Sequence, residues 1–260
     1  QLVSKVGPRT KAIMPVHVYG HACDMDALDA VAQQHQLLVI EDAAEAIGSR
    51  YKNKLCGKLG DMSCFSFFAN KLVTTGEGGM VAARDERFAE RLRYYKKLCF
   101  PVQGPRRYTH EDIGFNYRMP NVLAAIGLAQ LERVDFYLAN RRKNAAYYNE
   151  RLAGQRGIST PPNEPYTLNS YWMYGILIED DFGLTRDEVM TRLHAAGIDT
   201  RSFFVSMHRQ PALAKYGCDV SGQYPVSDEL ARKGLYLPSG SGLREEELSR
   251  IVETLLSLRR

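Results

Sequence analysis

An α/β fold followed by a smaller α+β unit is what this sequence predicts, and three observations predict it. Strand and helix patterns alternate through the first half, as in chains that build a sheet flanked by helices. Leu37-Leu38-Val39-Ile40 is a continuous apolar run, the mark of a strand covered on both faces. After a stretch rich in Pro and Asn, Ile158 to Asn169, short strands and helices resume in a different order.

The elements are read in order. Ala12 to Val18 predicts a strand that ends at Tyr19-Gly20. Asp24 is placed to cap a helix with Met25, Leu28, Val31 and Ala32 on one face. The run Leu37 to Ile40 ends in Glu41-Asp42, so acids stand at the carboxyl end of a buried strand, where open α/β sheets bind ligands. Ser63 to Phe68 and Gly79 to Ala83 read as strands, and Asp85 to Leu98 as an amphipathic helix. Residues 100–113, rich in Pro, Gly and Arg, are expected to form a loop. Asn121 to about Leu152 is helical in pattern, and a break near Asp135 suggests a helix pair or one long bent helix.

That break sets the expected division. Residues 1–135 form part of a large domain, and 136–260 form a connecting helix and a small C-terminal domain. In the second part Met173 to Ile178 is a strand, Arg186 to Ala196 a helix and Leu235 to Leu237 a strand. A loop through Pro211 and another helix lie between the last two, and the final helix aligns Leu248, Ile251, Val252 and Leu255. Trp172 is expected in the core of this small domain.

Composition narrows the function. The 34 basic and 30 acidic residues are interspersed, and the net charge of +4 suits an anionic ligand better than a nucleic acid. Five scattered cysteines form no CxxC pair and no metal-type spacing with the six histidines, which predicts reduced thiols, a cytoplasmic location and no metal site. No apolar run reaches the length of a membrane span, and no signal-peptide pattern is present. The chain starts at Gln1 and enters a buried-looking strand almost at once, so it reads as the C-terminal part of a longer protein.

Two stretches carry chemistry. Phe65 to Gly79 places Lys71 just after an aromatic strand, where desolvation lowers an amine's pKa and lets it form Schiff bases. Gly76-Glu77-Gly78-Gly79 permits a tight turn that brings backbone close to a ligand. Read alone, the stretch also fits a surface lysine in a hairpin loop. The second stretch is Glu41 to Ala46. A carboxylate followed by small residues can sit against a flat ring and keep a ring nitrogen protonated. It equally fits a helix N-terminus whose acids complement the dipole.

Together the stretches resemble the DegT/DnrJ/StrS family of sugar aminotransferases. The likeness runs through Pro15 to Gly20, Glu41 to Ala46, Gly60-Asp61, Phe65-Ser66-Phe67, Lys71 and Gly76 to Gly79. It continues through Gly114 to Met119, Ala124 to Leu128, Arg201 to Phe204, His208 to Pro211 and Leu237-Pro238-Ser239. Within the family, Thr74 to Met80 and Tyr171 to Leu177 look most like the GDP-perosamine synthases.

The resemblance implies the aspartate-aminotransferase-like fold (fold type I), with a mostly parallel central sheet, and pyridoxal 5'-phosphate as cofactor. It implies that Lys71 holds the cofactor as a Schiff base and moves protons. Asp42 would pair with the ring nitrogen, Glu45 would lie near the ring hydroxyl, and Ser66 would bond the phosphate. Asn116 would reach the phosphate of a neighbouring subunit in a homodimer or higher homo-oligomer; read locally, Asn116 and Arg118 are turn residues before a helix. His208 would face the sugar, although a lone histidine is as often structural. The implied reaction moves an amino group from glutamate to a nucleotide-linked 4-keto-6-deoxy sugar. A dehydratase of the same family would carry histidine in place of Lys71, and a non-catalytic relative would have lost the cofactor residues. The resemblance also implies an N-terminal stretch, with a small-residue phosphate loop and a ring-stacking aromatic, that precedes Gln1.

Overall fold

The computed structural model describes residues 1–101 and 108–259. Val102 to Arg107, within the loop expected over 100–113, and Arg260 lie outside the described residues. In chain order the elements are β1 (Ala12–Ile13), α1 (Met25–Gln34), β2 (Leu38–Asp42), β3 (Arg50–Tyr51), β4 (Lys54–Leu55), β5 (Met62–Ser66), β6 (Gly79–Ala83), α2 (Glu86–Lys96), α3 (Asn121–Leu131) and α4 (Val134–Leu152). There follow β7 (Ile158–Ser159), β8 (Thr167–Leu168), β9 (Tyr174–Ile178), α5 (Arg186–Ala195), β10 (Arg201–Ser202), α6 (Pro211–Lys215), α7 (Pro225–Lys233), β11 (Gly234–Leu237) and α8 (Glu245–Ser257).

The chain divides into two units, 1–138 with 164–172, and 139–163 with 173–260. The sequence placed the boundary at 135 and assigned 164–172 to the second part. That segment belongs to the first unit because β8 pairs antiparallel with β3, Arg50 opposite Leu168. The break expected near Asp135 separates α3 from α4.

In the first unit four strands form a sheet in the order β1-β2-β5-β6, parallel except for the last pair. The Asp24 carboxylate caps α1 by accepting from the Ala27 N–H at 3.4 Å. The helix buries Met25 and Ala32 with Ile13, Val39, Ala43 and Tyr51, while Leu28 and Val31 pack at the margin of that core. The first strand is shorter than Ala12 to Val18. Pro15 has no N–H to give a ladder, and the chain turns at Val18–Gly20 with Tyr19 at φ 56°. Only the bridge of Val16 to Asp42 prolongs the pairing.

The second unit packs a sheet of order β10-β11-β9-β7, antiparallel throughout, against helices. Tyr148, Tyr174, Ile176, Leu193, Leu235 and Leu255 are among its fully buried side chains. Thr185 and Glu188 form a capping box that starts α5. Leu248, Ile251, Val252 and Leu255 of α8 are all buried, the stripe that the sequence predicted. Among the described residues no helix is long and apolar enough to cross a membrane.

Candidate active site

The site stands at the carboxyl ends of the parallel strands. Neighbouring residues of a strand point to opposite faces, so Glu41 and Asp42 cannot serve one site. Glu41 shares the buried face of Val39 and is fully enclosed. Its carboxylate accepts from the N–H groups of Gly57 (2.6 Å), Leu59 (2.6 Å) and Gly60 (2.7 Å), and lies 3.0 Å from His17 Nε2. The Cys23 N–H donates to His17 Nδ1 at 3.1 Å, which leaves the proton on Nε2, facing Glu41. Burial pushes the Glu41 carboxyl up, but the bonds from His17 and the three backbone donors outweigh it and hold it below its ordinary value.

Asp42 is on the other face, half-buried, at the end of β2. Backbone bonds fix it on both sides, from its N–H to the Pro15 carbonyl (2.8 Å) and from the His17 N–H to its own carbonyl (3.1 Å). Its Oδ1 accepts from the Ala44 N–H at 3.0 Å. Asp42 is in register with Cys64 of β5, so Ser66, two residues on, presents its side chain on the same face of the sheet. The Ser66 hydroxyl accepts from the Phe68 N–H at 3.3 Å.

Beyond Ser66 the chain makes the turn that carries Lys71. The Phe67 N–H donates to the Gly78 carbonyl and the Thr75 N–H to the Phe67 carbonyl, both at 2.9 Å, which pins the base of the loop. Gly76 at φ 81° and Gly78 at φ 153° take backbone conformations that a side chain would resist. Lys71 then folds inward. Its Nζ lies 3.6 Å from Glu45 Oε1, and each side chain is only 12% exposed. The surface-lysine reading is therefore excluded.

Trp172 completes this group. The ring lies over Lys71 Nζ, 3.7 Å from centroid to nitrogen, and the indole N–H donates to the Asn70 carbonyl at 2.9 Å. This corrects its expected place in the core of the small domain: it is buried in the first unit, delivered there by the β3–β8 pairing. No local pattern could have joined residues about a hundred positions apart. Tyr19 joins the site although sequence reasoning gave it no role there; its N–H donates to Glu45 Oε2 at 2.8 Å.

Burial lowers the Lys71 amine, and Glu45 and then Asp42 partly restore it. Burial raises the Glu45 carboxyl, against the pull of the Tyr19 N–H and of Lys71. A shielded amine of lowered basicity is the nucleophile that carbonyl chemistry needs. The donor set fits pyridoxal phosphate: an amine to bind its aldehyde, a carboxylate for its ring nitrogen, and a hydroxyl at a strand end for its phosphate.

Two expected residues stand outside this group. Asn116 is exposed, bridges Lys97 and accepts from Arg118 Nε at 3.0 Å; no bond to Asp42, Glu45, Ser66 or Lys71 is seen among the described residues. His208 belongs to the second unit, where its Nε2 is 3.0 Å from Asp228 Oδ1 and its ring centroid 4.8 Å from that of Tyr224. Arg209 grips the same carboxylate, and with His208 holds Asp228 down at about 2.

The model of the DegT/DnrJ/EryC1/StrS aminotransferase family matches residues 1–256. The chain is 43% identical over 256 residues to a GDP-perosamine synthase of Caulobacter vibrioides, covering 98% of this chain and 68% of that protein. It is 39% identical over 252 residues to the GDP-perosamine synthase of Escherichia coli O157:H7, covering 96% and 66%. The solved structure of DesV from S. venezuelae, in complex with a ketimine intermediate, matches with TM-score 0.90 at 34% identity, over 100% of this chain and 68% of that one. The chain thus spans about two thirds of the length of these relatives.

Proposed function

The chain belongs to the DegT/DnrJ/EryC1/StrS aminotransferase family, and from that premise we propose that it serves a pyridoxal-phosphate-dependent aminotransferase acting on a nucleotide-linked 4-keto-6-deoxy sugar, with glutamate as amino donor. The observation that carries this reading is the Lys71 amine, enclosed between Glu45 and Trp172 at the carboxyl ends of the parallel strands. The likeness to two GDP-perosamine synthases supports a GDP-linked sugar and a role in amino-sugar or O-antigen biosynthesis.

Pyridoxal phosphate, when bound, supplies an electron sink for the carbon that gives up its proton. Lys71 would hold it covalently through Nζ. Asp42 would keep a positive charge on its ring nitrogen, Glu45 would stand at its hydroxyl edge and Ser66 would bond its phosphate. Lys71, with its Nζ free, would take the proton from the donor's α-carbon and hand one back to the carbon at the other end of the reacting system. A base positioned in this way contributes about 10²–10⁴-fold to rate. Enclosure of Nζ by the indole keeps water from competing for that proton.

Asn116 would complete the phosphate site of a neighbouring subunit, in a homodimer or larger homo-oligomer. Its exposure supports this, as do the exposed apolar side chains of Val122, Ile126, Leu128 and Leu131 on α3. His208, oriented by Asp228, would face the sugar. The reading places the enzyme in the cytoplasm, where nucleotide sugars are made.

The test is product analysis with the full-length protein, glutamate and a GDP-linked 4-keto-6-deoxy sugar. Mass spectrometry should find the 4-amino sugar with stoichiometric 2-oxoglutarate. Amination of other nucleotide keto-sugars but not this one would move the specificity, and no amination of any would remove the reading.

A further inference from the structure

We propose that the Glu45 carboxylate is the counter-ion that holds the free Lys71 ammonium against the Trp172 indole, and that it thereby sets the pH above which Lys71 becomes a reactive amine. The inference deepens the assignment of Lys71 as the cofactor lysine and rests on it for its meaning, though not for its test.

Three separate segments build the enclosure. Glu45 follows β2, Lys71 lies in the loop after β5, and Trp172 follows β8. Each of the two groups around the ammonium is itself fixed. One oxygen of Glu45 accepts from the Tyr19 N–H at 2.8 Å and the other lies 3.6 Å from Nζ. The indole is tied by its own N–H to the carbonyl of Asn70, the residue next to Lys71, so ring and lysine keep a constant relation. Tyr19 reaches its bond with φ at 56°, a conformation that costs a non-glycine residue energy and persists only where surroundings impose it. A carboxylate on one side and the face of an indole on the other make a site for one cation, here the chain's own.

Among the described residues, the charges that act most on Lys71 are those of Glu45 and Asp42, and those that act most on Glu45 are Lys71 and Asp42. Burial moves the amine down and the carboxyl up, so each group is brought toward the other's range. Glu45 is the larger of the two carboxylate influences on the amine. Gln at this position would still accept from the Tyr19 N–H while it removed the countercharge. It separates the electrostatic role from the structural one.

The experiment is competitive labelling of the cofactor-free full-length protein with trace acetic anhydride across a pH series, read by mass mapping of the Lys71 peptide. In E45Q the Lys71 titration should move down by about one pH unit, so that at a pH below the titration its labelling relative to wild type rises about tenfold. In E45D, which keeps the charge but retracts it, the titration should move part of the way in the same direction. An unmoved titration in E45Q, or equal shifts in both variants, would overturn the proposal. Should E45Q fail to fold, E45D decides alone, and an unmoved titration there overturns it too. Because no cofactor is present, this result stands apart from borohydride trapping of Lys71: either can succeed while the other fails.

Discussion

His17 and Glu41 form a pair with no solvent exposure, Nε2 3.0 Å from Oε2, directly behind the strand end that presents Asp42. Glu41 is an anion bound by the fold itself. Three backbone N–H groups of residues 57–60 converge on it, so it ties β2 to the loop that leads into β5. The Asp42 backbone is bonded in turn to Pro15 and His17. Position of the acid at the site thus depends on its buried neighbour.

Glu41→Gln should therefore destabilise strongly, because its amide N–H₂ must face donors. Leaving buried donors opposed by another donor costs about 1–3 kcal/mol for each group left unsatisfied, read as a fall in the urea midpoint at unchanged m-value. The pH dependence has a definite sign. The folded-state carboxyl is held below its ordinary 4.5, so its contribution is full above that value and is lost as pH falls through the lower folded one. The acid limb of wild-type stability below 4.5 should be shallower in the variant.

Gly60→Ala probes the same network from the backbone side. A Cβ there would stand 2.6 Å from the Val39 carbonyl oxygen and 3.2 Å from that of Met62, and neither can rotate away. Overpacking of this kind costs about 1–3 kcal/mol. The expected outcome is a lower urea midpoint, and equality with wild type would mean that the loop can shift without loss.

Trp172→Phe and Trp172→Ala separate the two functions of the indole. Phe keeps a ring over Nζ and loses the bond to Asn70, at about 0.5–1.5 kcal/mol. Ala removes the cover, at about 3–5 kcal/mol, and should speed acylation of Lys71 well beyond the Phe variant. Urea unfolding and the labelling rate of the Lys71 peptide check both outcomes.

Much of this was legible in the sequence because it was written locally. Asp24 caps α1 as its position predicts, and the helix read from Asp85 starts next to it, at Glu86, with the Asp85 carboxylate accepting from the Arg87 N–H. The apolar run before Glu41-Asp42 marks the strand that delivers the acids. Lys71 and its glycine turn lie within a single stretch of chain. What stayed hidden was non-local. β3 and β8 are two residues each, too short for any periodicity, yet their pairing brings Trp172 to Lys71. The separate roles of Glu41 and Asp42 were within reach, since strand alternation alone sends adjacent residues to opposite faces. The enclosing donors of Gly57, Leu59 and Gly60 were not, because nothing in their order fixes where backbone N–H groups point.

The most direct test of the central claim is borohydride reduction of the full-length protein after incubation with pyridoxal phosphate, followed by peptide mass mapping. The account predicts a phosphopyridoxyl adduct confined to the Lys71 peptide and absent from Lys71→Ala, with turnover lost in that variant. An adduct spread over many lysines, or none at all, would contradict it.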